Sequence, residues 1–280
     1  MLADVQQSVH VVIVTFNSAA YLPGLAESVA QASGICSVAV VDNGSQDDTA
    51  EVAEALEWGC TPTIVVRPDN PGFGAACNVG ASLRDLRANY VLFVNPDVTF
   101  APEAVSKLVD AIDHDPSIGV VGCELVRGDG APVSSARIGP TPVQIALRRV
   151  VDVDHRGSGV MSADWVCGAF MLWRTDAFDQ CGGFDERFFL YFEDVDICFA
   201  ARQRGWRVAI DGRVSAIHEQ GHGVETSSEL RQISRRSRRS FARKWFGVRG
   251  VVSASVADSL DFAARVKRRM GEIWRVGRRK

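Results

Sequence analysis

Val9–Asn17 reads VHVVIVTFN, and Val38–Ser45 reads VAVVDNGS. Each is a run of apolar, mostly β-branched residues, the kind that fits a buried strand, and each stops on polar side chains. The run Val9–Val14 ends in Thr15-Phe16-Asn17; Val38–Val41 ends in Asp42-Asn43-Gly44-Ser45. Between them Ser18–Ala30 carries helical spacing. Working outward, Asp47–Trp58 is helical in pattern, Thr63–Val66 is a third strand and Phe73–Arg87 a third helix. Tyr90–Val94 is a fourth strand, stopped by Asn95-Pro96-Asp97. Strand and helix alternate through short loops, which predicts an α/β protein with a doubly wound, mostly parallel sheet. Ligands of such sheets gather beyond the carboxyl ends of the strands. Thr15 and Asn17, Asp42 and Asn43, Asp69 and Asn70, and Asn95 and Asp97 all fall there, although each alone would serve as an Asx turn or a helix cap.

After about residue 120 the alternation weakens. Gly128–Gly139 reads as a hairpin or loop, and Asp152–Ser162 as a polar, glycine-containing segment. Trp165–Trp173 is strand-like, Thr175–Cys181 a short helix and Asp194–Arg204 a longer one. Trp206–Ile210 and Arg213–Ile217 are short strands leading to His218.

A chain of 280 residues holds one large α/β domain with an appendage. No apolar run approaches the roughly 18–20 residues that span a bilayer. The opening MLADVQQSVHVVIVTF lacks a basic n-region, so no signal peptide is expected. The seven cysteines are scattered without a CxxC, which argues against a disulfide framework or a zinc cage and for a reduced, cytosolic setting. The net charge of -3 hides a split: Leu230–Lys280 holds 16 Lys/Arg against Asp258, Asp261 and Glu272. An acidic body, residues 1–225, thus carries a basic extension, 226–280. Leu230, Ile233, Phe241, Trp245 and Val248, then Phe262, Val266, Met270, Ile273 and Trp274, recur among those cations. Basic amphipathic helices of this kind suit an anionic membrane surface. Packing on the acidic body or binding nucleic acid are the alternatives for the extension, and no nucleic acid partner is expected.

The densest run is Gly182–Asp196, GGFDERFFLYFEDVD. Its apolar centre, Phe188–Phe192, leads directly to Glu193-Asp194. Carboxylates held against such a wall are costly unless paired or used, which marks a functional site; first-turn acids complementing a helix dipole are the plainer reading. Neither GxGxxG nor GxxxxGK[ST] occurs, so hydride transfer and ATP-driven chemistry lack support.

VVIVTFN, VVDNGSQDDT, NPGFGAACNVG, FVNPDV, GGFDERFFLYFEDVD and AIHEQGHG occur in this order. Together they resemble family 2 inverting glycosyltransferases of the GT-A fold, a Rossmann-like, doubly wound, mostly parallel sheet. NPD and GGFDERFFLYFEDVDIC are most similar to bacterial rhamnosyltransferases that extend lipid-linked or polysaccharide acceptors. The resemblance covers roughly residues 9–223, with a nucleotide-binding half of about 1–120 and an acceptor half of about 121–225.

The resemblance assigns Thr15, Asn17 and Asp42 to a nucleoside pocket, with Asp42 accepting the imide N–H of uracil or thymine. Asn70-Pro71-Gly72-Phe73-Gly74 lets backbone run close to the nucleotide, and Asn78 follows one helical turn beyond Gly74. Asn95-Pro96-Asp97 takes the place of a DxD metal motif, with Mg2+ or Mn2+ bridging the donor's phosphates. Asp97 is then the carboxylate ligand, while Asn95 contacts ribose or a metal-bound water; a strand-ending turn is the structural alternative. His218 is the second ligand and His222 the fallback. Asp194 is the general base, flanking an apolar stripe of Val195, Cys198 and Phe199, whereas Asp196 points more nearly away. Glu193 positions the acceptor or Asp194. Asp185 and Glu186 bind sugar hydroxyls or cap their loop, and Trp165 with the Gly168-Ala169 backbone forms acceptor wall.

The implied activity is metal-dependent, inverting transfer of a sugar, foremost L-rhamnose from dTDP-L-rhamnose, to a lipid-linked or polysaccharide acceptor in cell-envelope glycan synthesis. The implied location is cytoplasmic, at the inner face of the membrane. Galactofuranosyl or N-acetylglucosaminyl transfer from a UDP-sugar is the enzymatic alternative. A non-catalytic module binding polyanions is the alternative of another class, and Asp97, Asp194 and His218 together argue against it.

Overall fold

The computed structural model describes residues 9–219 and 227–277, with 262–277 as backbone only. The first strands and helices are β1 (Val9–Thr15), α1 (Leu22–Gln31), β2 (Ile35–Asp42), α2 (Thr49–Ala55), β3 (Thr63–Val66), α3 (Phe73–Ser82) and β4 (Tyr90–Val94). There follow β5 (Val98–Phe100), α4 (Ala104–His114), β6 (Ile118–Val126), β7 (Pro132–Val133), β8 (Ala136–Arg137) and α5 (Pro142–Leu147). The last third contains β9 (Val160–Ala163), β10 (Trp165–Val166), β11 (Phe170–Arg174), α6 (Thr175–Cys181), α7 (Glu193–Gln203), β12 (Arg207–His218) and α8 (Ser228–Gly277).

One sheet runs in the order β3-β2-β1-β4-β11-β6-β12-β5, with β7 on β6 and β9 on β12. β1 pairs in parallel with both β2 and β4, because each βα unit crosses over before the next strand begins. Strand order therefore reverses at β1, and the crevice there opens between the ends of β1 and β4. β11 enters antiparallel between β4 and β6, and β5 closes the far edge antiparallel to β12.

Every residue of β1 and β4 is buried, since helices cover both faces of the sheet. Leu22, Leu25 and Val29 of α1 and Val105, Leu108 and Ile112 of α4 fill one side. Ala76 and Cys77 of α3, Phe178 of α6 and Ile197 and Cys198 of α7 fill the other. Two-sided burial is why the strands read as continuous apolar runs rather than alternating ones.

Several expected boundaries shift for local reasons. α1 begins at Leu22 rather than Ser18, because the Ser18 amide donates to Thr49 Oγ1 at 2.8 Å and Pro23 sits in the first turn. α2 stops at Ala55, after which Gly59 is left-handed and Trp58 folds back to donate Nε1 to the Ala53 carbonyl at 3.0 Å. α3 stops at Ser82, and Asp85 then organises a turn by accepting the Arg87 amide at 2.8 Å. The two short strands expected before His218 are one strand with a bulge at Asp211–Ser215. Gly212 is required there, since a Cβ would stand 1.7 Å from the His155 carbonyl. The polar segment 152–162 is tied to that bulge, with the Gly157 amide donating to Gly212 at 3.0 Å and β9 pairing β12.

α8 bends back at Gly247, where φ is 55° and ψ is -132°. Its two arms are clamped together by Arg238 on Asp258 and Asp261 and by Arg239 on Asp258. Gly250 permits the close crossing, because a Cβ there would lie 1.9 Å from the Ala242 carbonyl. The basic extension, as far as its side chains are described, therefore docks on the body. Phe241 and Ala242 pack with Ile145, Phe188 and Val195 in a third apolar cluster. Phe262, Val266, Met270, Ile273 and Trp274 have side chains outside the described residues, and His222 lies outside them altogether. Among the described residues no helix is long and apolar enough to cross a membrane.

Candidate active site

At the end of β1, Thr15 Oγ1 donates to Asp42 Oδ1 at 2.9 Å. Parallel register places these residues side by side, Thr15 opposite Asp42. Asp42 is 2% exposed and also accepts the Ser45 hydroxyl and, at 3.0 Å, the Ser45 amide. Asn17 adopts a left-handed φ of 50°, and its Oδ1 accepts the Gln46 amide at 2.8 Å. Three of the expected nucleoside residues thus form one hydrogen-bonded group. Asn43, placed at this strand end from sequence, joins it by donating its amide to the Thr15 carbonyl at 2.8 Å, and its Oδ1 is buried without a partner among the described residues. Its Nδ2 donates to the Gly72 carbonyl at 3.3 Å.

The glycines of the loop before α3 also have a structural use. A Cβ on Gly72, where φ is 98°, would lie 2.4 Å from the Phe189 carbonyl, and one on Gly74 would meet Phe184 Cβ at 3.0 Å. Both glycines let α3 approach the Gly182–Asp196 stretch. Asn70 has a φ of 40° and donates its amide to the Arg67 carbonyl at 3.1 Å. Asn78 clamps the same stretch: Nδ2 donates to the Phe184 carbonyl at 2.9 Å and to Glu186 at 3.2 Å, and Oδ1 accepts the Phe184 amide. Its amide, like the Glu186 carboxylate, is engaged in holding the loop.

Beyond β4, the turn Asn95-Pro96-Asp97 leads into β5, and β5 pairs with β12 so that His218 lies opposite Val98. This register sets His218 Nε2 3.3 Å from Asp97 Oδ1. Both side chains are nearly buried, and His218 Nδ1 and Asn95 Oδ1 have no partner among the described residues. Among the described residues no cluster of three or more His, Cys, Asp or Glu side chains surrounds a metal position. One oxygen and one nitrogen donor fit a divalent ion whose remaining ligands come from phosphate oxygens and water.

A single loop links that turn to Asp194. The Asn95 amide donates to the Ala169 carbonyl at 3.0 Å, and the adjacent Gly168 amide donates to Asp194 Oδ2 at 3.1 Å. Gly168 eases this approach, as a Cβ would sit a tight 3.2 Å from Asp194 Cβ. Asp194 Oδ1 accepts the Val195 amide at 2.8 Å. Trp165 stands on the same segment, its ring covered by Arg137. Burial and the Asp194 charge push the Cys167 thiol up to about 12, so it stays protonated and is no nucleophile.

Tyr191 and Phe192, at φ 68° and 71°, are both left-handed immediately before Glu193. Such backbone costs about 1–3 kcal/mol per residue and persists only where surroundings impose it. Those surroundings include α8. Ser237 donates to the Leu190 carbonyl at 2.8 Å, and Phe241 packs on Phe192 with centroids 5.4 Å apart. Lys244 Nζ bridges Asp196 Oδ2 at 2.7 Å and Asp185 Oδ2 at 2.8 Å, while Trp245 Nε1 donates to Asp196 Oδ1 at 2.7 Å. Asp196 does point away from Asp194, but into this buried contact. Burial raises its proton affinity, with Lys244 and Trp245 opposing. Asp185 pairs with Arg187 as well, and that hydrogen bond, followed by Lys244, holds it well below the usual carboxylate range. Glu193 lies under Gly74 with Oε2 unpartnered among the described residues; burial first, then the Asp194 charge, pushes it well above that range. Lys244 and Trp245 were legible only as basic-amphipathic spacing, since nothing local reveals a partner 48 residues away.

A parallel β3-β2-β1-β4 order with polar side chains gathered at the switch point defines an α/β protein with its ligand crevice at that point. The chain belongs to glycosyltransferase family 2: residues 10–153 match the family model "Glycosyl transferase family 2". It is similar to the N-acetylglucosaminyl-diphospho-decaprenol L-rhamnosyltransferase of Mycobacterium tuberculosis, at 29% identity over 247 residues covering 79% of each chain. In structure it is similar to Staphylococcus aureus TarS 1-349, with TM-score 0.57, 17% identity and coverage of 89% of this chain and 70% of that one. The mannosyltransferase PcManGT of Pyrobaculum calidifontis, in complex with GDP-Man and Mn2+, gives TM-score 0.57, 15% identity and coverage of 92% and 76%. The expected GT-A fold and the glycosyltransferase class are both established by these matches.

Proposed function

We propose that this glycosyltransferase carries out metal-dependent, inverting transfer of L-rhamnose from dTDP-L-rhamnose to a polyprenyl-diphosphate-linked acceptor in cell-envelope glycan synthesis. The observation that carries the reading is the loop Cys167–Ala169, which joins the Asn95–Asp97 turn to Asp194 by hydrogen bonds on either side. Candidate metal ligands and candidate base are thereby tied to one short loop. The sugar and acceptor are supported by the activity named for the M. tuberculosis relative, and the metal by the Mn2+ of PcManGT.

In this reading Asp42, Thr15 and Asn17 seat the nucleoside, and the Asn70–Gly74 loop flanks it. Asp97 and His218 would hold Mg2+ or Mn2+, which neutralises charge on the diphosphate when bound. Asp194 takes the proton of the acceptor hydroxyl as its oxygen bonds to the sugar's anomeric carbon, opposite the breaking carbon–oxygen bond to the diphosphate. The Gly168 and Val195 amides orient that carboxylate. Glu193 supports Asp194 from below, Asp185 and Glu186 shape the loop, and Trp165 with Gly168 walls the acceptor side. The protein works at the cytoplasmic face of the membrane, with the basic extension contributing attraction to anionic lipid.

Thermal melting of the full chain against dTDP-L-rhamnose, UDP-N-acetylglucosamine and UDP-galactofuranose, each with and without Mn2+, tests the donor. dTDP-L-rhamnose with Mn2+ should raise the melting temperature most. A larger shift with a UDP-sugar would replace the assigned donor, and no metal-dependent shift with any of them would overturn the reading.

A further inference from the structure

A cavity of 440 Å³ lies between the Gly182–Asp196 stretch and the first arm of α8. The loop contributes Arg187 and Phe189; α8 contributes Ile233, Arg236 and Ser240. Its volume falls in the range of about 300–1,000 Å³ typical of small-ligand sites. Phe189 is 42% exposed, an unusual state for a phenyl ring in a stretch whose other phenylalanines are buried or packed. Its position is informative. The Phe189 carbonyl accepts the Phe73 amide from the donor-side loop, and the next carbonyl, Leu190, accepts the Ser237 hydroxyl. The cavity thus adjoins the segment that delivers Asp194.

Four cations of α8 are committed to carboxylates. Arg235, Arg238 and Arg239 pair with Asp258 or Asp261, and Lys244 with Asp185 and Asp196. Arg236 has no ion pair among the described residues and lines the cavity instead. Opposite it, Arg187 uses Nε and Nη2 on Asp185, while its side chain is 68% exposed. Glu229 is the one acid in the lining, leaving a net positive wall beside an apolar one.

We propose that this cavity binds the diphosphate of a polyprenyl-diphosphate acceptor, with Arg236 and Arg187 on the phosphates and the first isoprene unit against Phe189 and Ile233. Guanidinium groups match phosphate oxygens through paired N–H donors, and the Ser240 hydroxyl adds another. The assignment rests on the lipid-linked acceptor proposed above. The same chemistry would also accept a phospholipid headgroup, so the test separates the two.

Calorimetry on the full chain with farnesyl diphosphate and with farnesol is the direct experiment. Farnesyl diphosphate should bind, and Arg236→Gln should weaken it about tenfold, the scale of one lost charge-assisted hydrogen bond. Farnesol should bind more weakly and be unaffected by Arg236→Gln. Donor-nucleotide affinity should not change. Ile233→Glu, which places an acid in the same cavity, should also weaken farnesyl diphosphate. Absence of binding by the unaltered chain, equal affinity in Arg236→Gln, or an equal loss for farnesol would overturn the site. Loss of binding to phosphatidylglycerol vesicles with unchanged farnesyl diphosphate affinity would reassign it to membrane lipid and also overturn it. Binding as expected, but without sugar transfer to any polyprenyl-diphosphate acceptor, would sink the proposed function and leave the site standing.

Discussion

Glu193 and Asp194 are chain neighbours in opposite surroundings. Asp194 is met by two backbone amides, whereas Glu193 is 6% exposed with one carboxyl oxygen unpartnered among the described residues. A buried carboxyl without compensation avoids charge by keeping its proton. In the unfolded chain it ionises near 4.5; in the folded chain it does so only well above that. The folded state therefore binds more protons in the window above 4.5, and stability falls as pH rises through it. Glu193→Gln should remove this dependence, so its melting temperature should gain on the unaltered chain as pH rises above 4.5. A pH-independent difference would contradict the assignment. Asp97→Ala should abolish the gain in dTDP affinity that Mn2+ confers, measured by calorimetry, since it removes the one carboxylate of the NPD turn. Much of this was readable from residue types: Asp42 and Asp97 stand at strand ends that the alternation of patterns located, while Asp194 and His218 were marked by the resemblance of their motifs. Neither the burial of Glu193 nor the fate of Asp196 was, because both depend on elements distant in sequence.

At the scale of elements, the Gly182–Asp196 stretch is shaped from two sides. α3 approaches it through Gly72 and Gly74, and α8 grips it through Ser237, Phe241, Lys244 and Trp245. Gly72→Ala should cost about 2 kcal/mol or more, because a left-handed backbone and a clash with the Phe189 carbonyl act together. Chemical denaturation measures it; a loss below about 0.5 kcal/mol would show that the loop yields. Strand periodicity predicted β1 to β4 because both faces of the sheet are covered there, and it missed β5, β6 and β9. It gave no account of the loop glycines, whose neighbours are supplied by tertiary structure. The bulge in β12 was hidden for the same reason, since Gly212 answers to His155 rather than to its own strand.

For the whole molecule, the described part of the extension is both basic and structural. Truncation after Glu229 would uncover Phe188, Phe192 and Phe199 and leave Asp196 without Lys244 and Trp245. Removing one side of a buried ion pair costs about 3–5 kcal/mol, equivalent to a fall in melting temperature of about 6–20 °C at this size. A truncated chain that melts like the full one would show the docking to be incidental. Membrane attraction is a separate property: binding of the full chain to anionic vesicles should weaken with added salt, as exposed Lys and Arg are screened. Salt-insensitive binding, or none, would remove the membrane from the proposal. The central claim, that Asp194 is the base of a sugar transfer, is tested most directly by turnover. Asp194→Asn should transfer L-rhamnose to an N-acetylglucosaminyl-diphospho-polyprenol about 10²–10⁴-fold more slowly than the unaltered chain, with donor affinity retained. Near-normal turnover, or a larger loss in Asp196→Asn at unchanged melting temperature, would contradict it.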